Sequence, residues 1–98
     1  MADDVPSDFS ARLKVARQLG GVSARSLDEL AGLAHGHTWM IESGQRGEPE
    51  LKTATKLAGA LGLSLDWLAF GTGEPPTKES VVLALEAARE STDPAKVA

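Results

Sequence analysis

Two histidines, His35 and His37, are the side chains best suited to chemistry near neutral pH, because imidazole can ligate a metal or transfer a proton. Metal binding is disfavoured at this spacing, since side chains two residues apart diverge on a helix and no third ligand is signalled. The sequence has no cysteine, no nucleophile paired with a base and no phosphate-binding glycine loop. We therefore expect no enzymatic activity, no cofactor and no metal site, and hydrogen bonding to a partner is the chemistry that remains.

The histidines lie in a stretch from Ser23 to Gly44 whose pattern predicts two short helices joined by a tight turn. Ser23 suits the N-cap of the first helix, and Gly32 suits a left-handed residue that ends it. At ~100° per residue, one face of the second helix collects Ala34, Thr38, Ile41 and Glu42, and the opposite side collects Gly36, Met40 and Ser43. We expect the first face to pack against the rest of the domain and the opposite face to be exposed.

This stretch resembles the tandem helices of phage-repressor and Cro-type DNA-binding domains, the XRE family. The positions that match at the family spacing without a gap are Ser23, Leu27, Ala31, Gly32, Leu33, Ile41, Glu42 and Gly44. Residues 57–68 resemble the last two helices of the same family, so the resemblance covers about 9–73. It implies an all-α, five-helix, repressor-like DNA-binding domain with a helix-turn-helix, to which this chain adds a C-terminal helix.

The resemblance implies a sequence-specific transcriptional regulator whose second motif helix enters the major groove of double-stranded DNA. The candidates for reading bases are His35, Gly36, His37, Trp39 and Met40. A glycine inside a helix costs about 1 kcal/mol relative to alanine, which makes sense if the backbone must approach the duplex. The candidates for phosphate contacts, at helix starts and in the following loop, are Ser23, Ser43, Arg46, Lys52 and Thr53.

Arg17 and Glu42 also match family positions, at which such a pair links the first helix to the recognition helix. Departures from the family pattern occur on the same surface or beneath it. They are Ala24 for a common amide side chain, Asp28 for a small alanine, Thr38 for an aliphatic residue, and Glu48 and Glu50 near phosphate. A hydrogen bond between Asp28 and Thr38, or between Asp28 and a nearby amide, would compensate for a carboxylate at a position where the family has alanine.

The remaining helices are predicted from candidate N-cap residues and from apolar side chains at helical spacing. Ser7 or Asp8 suits the cap of a first helix with Phe9, Leu13 and Ala16 on one face and Arg12 and Lys14 directed elsewhere. A fourth helix beginning beside Pro49 has a stripe expected to be buried, made of Leu51, Ala54, Leu57, Ala58 and Leu61. A fifth is capped by Ser64 and carries Leu65, Trp67, Leu68 and Phe70.

We expect a flexible N-terminal arm over 1–7, a compact DNA-binding domain over 8–73, and a remainder over 74–98. That remainder comprises a Gly and Pro linker, a helix over about 77–90 and a loose tail. The helix has an apolar stripe of Val81, Val82, Leu85 and Ala88. Because the five-helix core looks complete without this stripe, we expect the stripe to form the interface of a homodimer. Such a dimer would repress from a pseudo-palindromic operator.

The chain of 98 residues carries a formal net charge of -4, which at first sight argues against nucleic acid. The charge is uneven, since residues 9–73 contain seven basic and six acidic side chains and the excess acid lies in the two tails. No apolar run could span a bilayer, so we expect a soluble, cytoplasmic protein. The alternative is a protein-interaction module, such as an antitoxin or a regulator's antagonist, that uses exposed Trp39 and the C-terminal stripe on another protein.

Overall fold

Helices account for the regular structure in the computed structural model, which describes residues 8–45 and 47–92. In chain order they are α1 (Phe9–Gly20), α2 (Ala24–Ala31), α3 (His37–Glu42), α4 (Leu51–Leu61), α5 (Leu65–Phe70) and α6 (Lys78–Thr92). The predicted all-helical class, with an additional helix at the C-terminal end, is confirmed. The predicted N-terminal arm and loose tail lie outside the described residues, as does Arg46.

Helix boundaries follow the local signals in the sequence. The side chains of Asp8, Ser23 and Ser64 accept hydrogen bonds from the third amide after each of them, at 2.9 to 3.0 Å. Thr77 and Ser80 exchange bonds reciprocally, each side chain accepting from the other's amide at 3.1 Å, which is a capping box at the start of α6. Local capping therefore determines where most of these helices begin.

The core lies between α1, α2, α4 and α5, where the completely buried leucines include Leu13, Leu27, Leu57, Leu61 and Leu68. One predicted core position, Leu51, is wrong. Leu51 is 71% exposed because it lies in the first turn of α4, beyond the helices that cover the face from Ala54 onward. Phe70, the last residue of α5, is 74% exposed, whereas Trp67 and Leu68 of the same helix are buried.

Arg12 was expected to point away from the core, and instead it is buried. Its Nε donates to the carbonyl of Leu68 at 2.9 Å, and its Nη2 donates to the carbonyl of Ala69 at 2.8 Å. The last carbonyls of a helix lack partners within the helix, so a guanidinium that reaches them satisfies groups that would otherwise be buried unpaired. Arg12 thus joins α1 to the end of α5.

The C-terminal helix α6 is part of the same core. It packs against α1, α4 and α2, and Val81 and Leu85 are completely buried there. Two glycines allow the close approach. A Cβ at Gly20 would lie 2.5 Å from Leu85 Cδ1, and one at Gly62 would lie 2.6 Å from the Cβ of Ala84.

This packing contradicts the predicted dimer stripe of Val81, Val82, Leu85 and Ala88. Val81 and Leu85 are covered by the chain's own helices, while Val82 and Ala88 are half-buried. The physical reason is that five helices leave apolar surface beside Gly20 and Gly62, and the linker lets α6 fold back onto it. Within the described residues, no helix is long and apolar enough to cross a membrane.

Candidate nucleic-acid interface

The turn between α2 and α3 determines which candidate residues are helical. α3 begins at His37, and its N-cap is Gly36 with φ 95°, a left-handed conformation that disfavours any residue with a Cβ. His35 and Gly36 therefore lie in the turn, and His37, Trp39 and Met40 lie on the helix. The expectation that Gly36 sits inside the helix is wrong: its backbone conformation explains the glycine, and a Cβ there would meet no neighbour within 4 Å.

A buried carboxylate lies directly beneath this turn. Asp28 is 1% exposed, and its Oδ1 accepts from both the amide and the hydroxyl of Thr38, at 2.8 and 2.6 Å. Its Oδ2 accepts from the amide of Gly36 at 2.8 Å. The two departures from the family pattern at positions 28 and 38 are thus one hydrogen-bonded unit that joins α2 to the start of α3.

The inner face of α3 is also held by α1. Arg17 and Glu42 form a two-pronged ion pair, with Nε to Oε2 at 2.7 Å and Nη2 to Oε1 at 2.9 Å. A third donor of Arg17, Nη1, bonds the carbonyl of Val22 at 2.9 Å, and the hydroxyl of Ser10 donates to the carbonyl of Ile41 at 2.6 Å. Both ends of this short helix are therefore anchored from within the domain.

The positive charge of Arg17 is stabilised by Glu42. The hydrogen bond that Arg17 donates to Glu42 raises the pKa of Arg17 above its usual value; burial opposes this rise, and the coulombic attraction of the carboxylate adds to it. The guanidinium therefore keeps its charge near neutral pH and links α1 to α3 through Glu42.

The outer face of α3 is left open by this anchoring. Thr38 and Ile41 are buried, Trp39 is 57% exposed, His37 is exposed and Met40 is half-buried. His37 and Met40 line a groove whose other wall is formed by Glu48, Pro49, Glu50 and Thr53 at the start of α4. The structure thus places His35, His37 and Met40 along this groove, while Gly36 and Trp39 lie outside it.

A second, shallower depression lies on the other side of α3. It is lined by Ala24, Arg25, Gly36 and Trp39, among others. Arg25 is an exposed cation in the first turn of α2 and was missed in the sequence-based list of candidates. The signal was available, because a basic residue two positions after an N-cap lies near the free amides of that helix start.

The candidate phosphate residues have mixed environments. Lys52 is exposed and Thr53 is half-buried in the first turn of α4, and Ser23 is the exposed N-cap of α2. The hydroxyl of Ser43 donates to the carbonyl of Met40 at 2.9 Å and so serves the end of α3. Arg46 lies outside the described residues. Glu48 and Glu50 place negative charge in the groove that Thr53 also lines.

Polar groups on this surface do not form a metal centre. In the described part of the chain, no group of three histidine, aspartate or glutamate side chains is arranged to hold a metal ion. His35 instead lies beside Glu29, with Nε2 and Oε2 3.4 Å apart and both side chains more than half exposed. The arrangement suits hydrogen bonding to a large partner surface.

Comparisons with known proteins agree with this geometry. A family model described as helix-turn-helix matches residues 13–68. The HTH-type transcriptional regulator PrtR of Pseudomonas aeruginosa is 32% identical over 79 residues, which is 81% of this chain and 30% of that protein. The SPbeta prophage-derived uncharacterized HTH-type transcriptional regulator YonR of Bacillus subtilis is 39% identical over 64 residues, which is 65% of this chain and 58% of that protein.

The chain thus spans about a third and somewhat over half of these two relatives. No solved structure matches it. The matched segment runs from α1 to α5 and contains both motif helices with the buried contacts that orient α3. By sequence match and by fold, the chain belongs to the XRE-type helix-turn-helix family.

Proposed function

We propose that this protein is a sequence-specific DNA-binding transcriptional regulator that inserts α3 into the major groove. The observation that carries the proposal is the division of α3 into two faces. Thr38, Ile41 and the partly buried Glu42 are held by α1 and α2, while His37 and Trp39 are exposed. A helix fixed on its inner side and free on its outer side is the element that reads base edges in this family.

Base reading is assigned to the outward side chains. His37 can donate to or accept from base edges, and Met40 and Trp39 can contact thymine methyl groups or sugar. His35 and Gly36, in the turn before α3, bring backbone and one imidazole to the edge of the same surface.

Phosphate contacts are assigned to the flanking helix starts. The first turns of α2 and α4 present free amides beside Ser23, Lys52 and Thr53, where a positive dipole end favours an anion. Ser43 and Arg46 complete the proposed set. Arg25 is added because it is an exposed cation beside Trp39.

We propose further that the protein represses transcription as a homodimer on a pseudo-palindromic operator. A helix of six residues reads only a few base pairs, so a second half-site about one DNA turn away would supply the remaining specificity. The interface must lie away from buried Val81 and Leu85. Large apolar side chains exposed on the described surface, apart from Trp39, are Val15, Leu51, Phe70 and Leu83.

Salt dependence tests the proposal. Because each neutralised phosphate releases counterions, the logarithm of the affinity for duplex DNA should fall linearly with the logarithm of salt concentration, with a slope of about -0.9 per phosphate contact. Affinity for duplex DNA that is negligible even at low salt would exclude DNA as the partner of this surface.

A protein-interaction module is the second candidate, and specific observations favour it. Trp39 exposes 57% of its surface on the presented face, and Glu48 and Glu50 line the groove where phosphates would approach. Aromatic side chains of this kind are common anchors of protein interfaces. This reading predicts little DNA binding at any salt concentration and a loss of partner binding in Trp39→Ala.

A further inference from the structure

The start of α3 has no cap of its own. Its N-cap is Gly36, which has no side chain to accept a hydrogen bond from the first turn. The first amides of a helix lack partners within the helix, and a helix of six residues is marginal by itself. Something outside α3 must therefore define where it begins.

Asp28 supplies that cap from the neighbouring helix. In an ordinary capping box, one side chain accepts from an amide in the first turn and a second side chain accepts from the amide of the N-cap residue. Here one carboxylate does both, because Oδ1 accepts from the Thr38 amide and Oδ2 accepts from the Gly36 amide, each at 2.8 Å. A negative charge at this position also complements the positive end of the helix dipole.

Thr38 completes the unit. Its hydroxyl donates to Asp28 Oδ1 at 2.6 Å, and both side chains are buried. A buried carboxylate is tolerated when its oxygens accept several hydrogen bonds, and this one accepts three.

We infer that Asp28 is a positioning residue for sequence readout, because it sets the first turn of the base-reading helix from α2. The inference rests on the proposed function, in which that turn, His37 to Met40, faces the bases. The other anchors act elsewhere, since Arg17 and Ser10 hold Glu42 and Ile41 in the last turn. Loss of the cap should therefore disorder the first turn of α3, which carries the base-reading side chains, and leave the last turn of α3 and Lys52 in place.

The test compares two variants with one control, after melting curves have shown that each is folded. Asp28→Asn keeps the shape and places an NH2 group against one of the donors, which leaves a buried pair unsatisfied. If Asn is not tolerated, Asp28→Ala combined with Thr38→Val removes the carboxylate and the hydroxyl together, so that only the amides of Gly36 and Thr38 lose their acceptor. The control, Ser64→Ala, removes the side-chain cap of α5 instead.

Two measurements are made on each protein. Amide hydrogen exchange at Gly36 and Thr38 reports the cap in the free protein. The ratio of affinities for the parent's selected DNA site and for an unrelated duplex reports readout. We expect faster exchange at both amides and a loss of about tenfold or more in the ratio, with affinity for the unrelated duplex nearly unchanged. Ser64→Ala should lower the melting temperature and keep the parent's ratio.

The inference is overturned if the Asp28 variants keep the parent's ratio, whatever their exchange rates, or if Ser64→Ala reduces the ratio as much as they do. A parent protein without sequence preference would instead contradict the proposed function. In that case the exchange rates would test only whether Asp28 caps α3: faster exchange at Gly36 and Thr38 supports the cap, and unchanged exchange refutes it.

Discussion

Arg17 and Glu42 are charged groups held together in a partly buried site, with side chains 16% and 9% exposed. Removing either partner leaves the other charge without compensation, so Arg17→Ala and Glu42→Ala should each lower the free energy of unfolding by about 3 kcal/mol. The double substitution should cost clearly less than the sum, because it leaves no stranded charge. Urea unfolding of the four proteins measures this coupling. Additive costs would show that the two side chains act independently.

Lys52 is the described cation best placed for a phosphate, being exposed in the first turn of α4. Lys52→Ala should weaken binding to all duplex sequences about equally and reduce the salt slope by about 0.9. Lys78→Ala is the matched control, since it removes the same charge from the first residue of α6, which packs near the opposite end of α4. Titrations at several salt concentrations measure both. Equal effects of the two substitutions would indicate net charge rather than a contact.

At the scale of helices, the packing of α6 against α4 depends on a glycine at the end of α4. Gly62 has φ 69°, and an added Cβ would lie 2.6 Å from the Cβ of Ala84 and 3.3 Å from the Ser80 carbonyl. Gly62→Ala should therefore destabilise the fold by about 2 to 4 kcal/mol, combining backbone strain with overpacking.

Gly59→Ala is the matched control, because Gly59 is exposed within α4 and an added Cβ would meet nothing within 4 Å. This substitution should stabilise the protein by about 0.5 to 1 kcal/mol. Thermal or urea unfolding distinguishes the two. A Gly62→Ala protein as stable as the parent would contradict the close packing of α6.

Local signals in the sequence predicted the helices well, because caps such as Ser23, Ser64 and Thr77 act within one turn. Contacts between distant segments were harder to predict. Arg12 looked like a surface cation because no local pattern shows that the carbonyls of Leu68 and Ala69 lie beside it. The α6 stripe was assigned to a partner because the space beside Gly20 and Gly62 exists only once α1 and α4 have packed.

At the candidate DNA interface, too, local features could be predicted and contacts between distant segments could not. The residues of α3 follow from helical spacing within the motif, and the sequence also suggested a bond between Asp28 and Thr38. The late start of α3 could not be predicted, because it depends on the φ of Gly36 and on a carboxylate contributed by α2. Reading His35 and Gly36 as helical was the consequence.

For the molecule as a whole, α6 should be required for folding. Ending the chain after Pro75 would expose the apolar surface that Val81 and Leu85 cover, at about 1.5 to 3 kcal/mol for each lost side chain. A domain of this size is stable by only about 5 to 15 kcal/mol, so the shortened protein should be marginal or unfolded. Circular dichroism with urea titration measures this. A shortened chain as stable as the parent would return α6 to the role of an accessory helix.

Sequence readout by the outer face of α3 is the central claim, and selection of bound sites from random duplex DNA tests it most directly. The parent protein, His37→Ala, Met40→Ala and Lys52→Ala should be run side by side. We expect the parent to enrich a defined sequence, and Lys52→Ala to enrich the same one more weakly. His37→Ala and Met40→Ala should each relax one or two positions by about 1 to 3 kcal/mol. A parent that enriches no sequence, or α3 variants whose sites cannot be distinguished from the parent's, would contradict the claim.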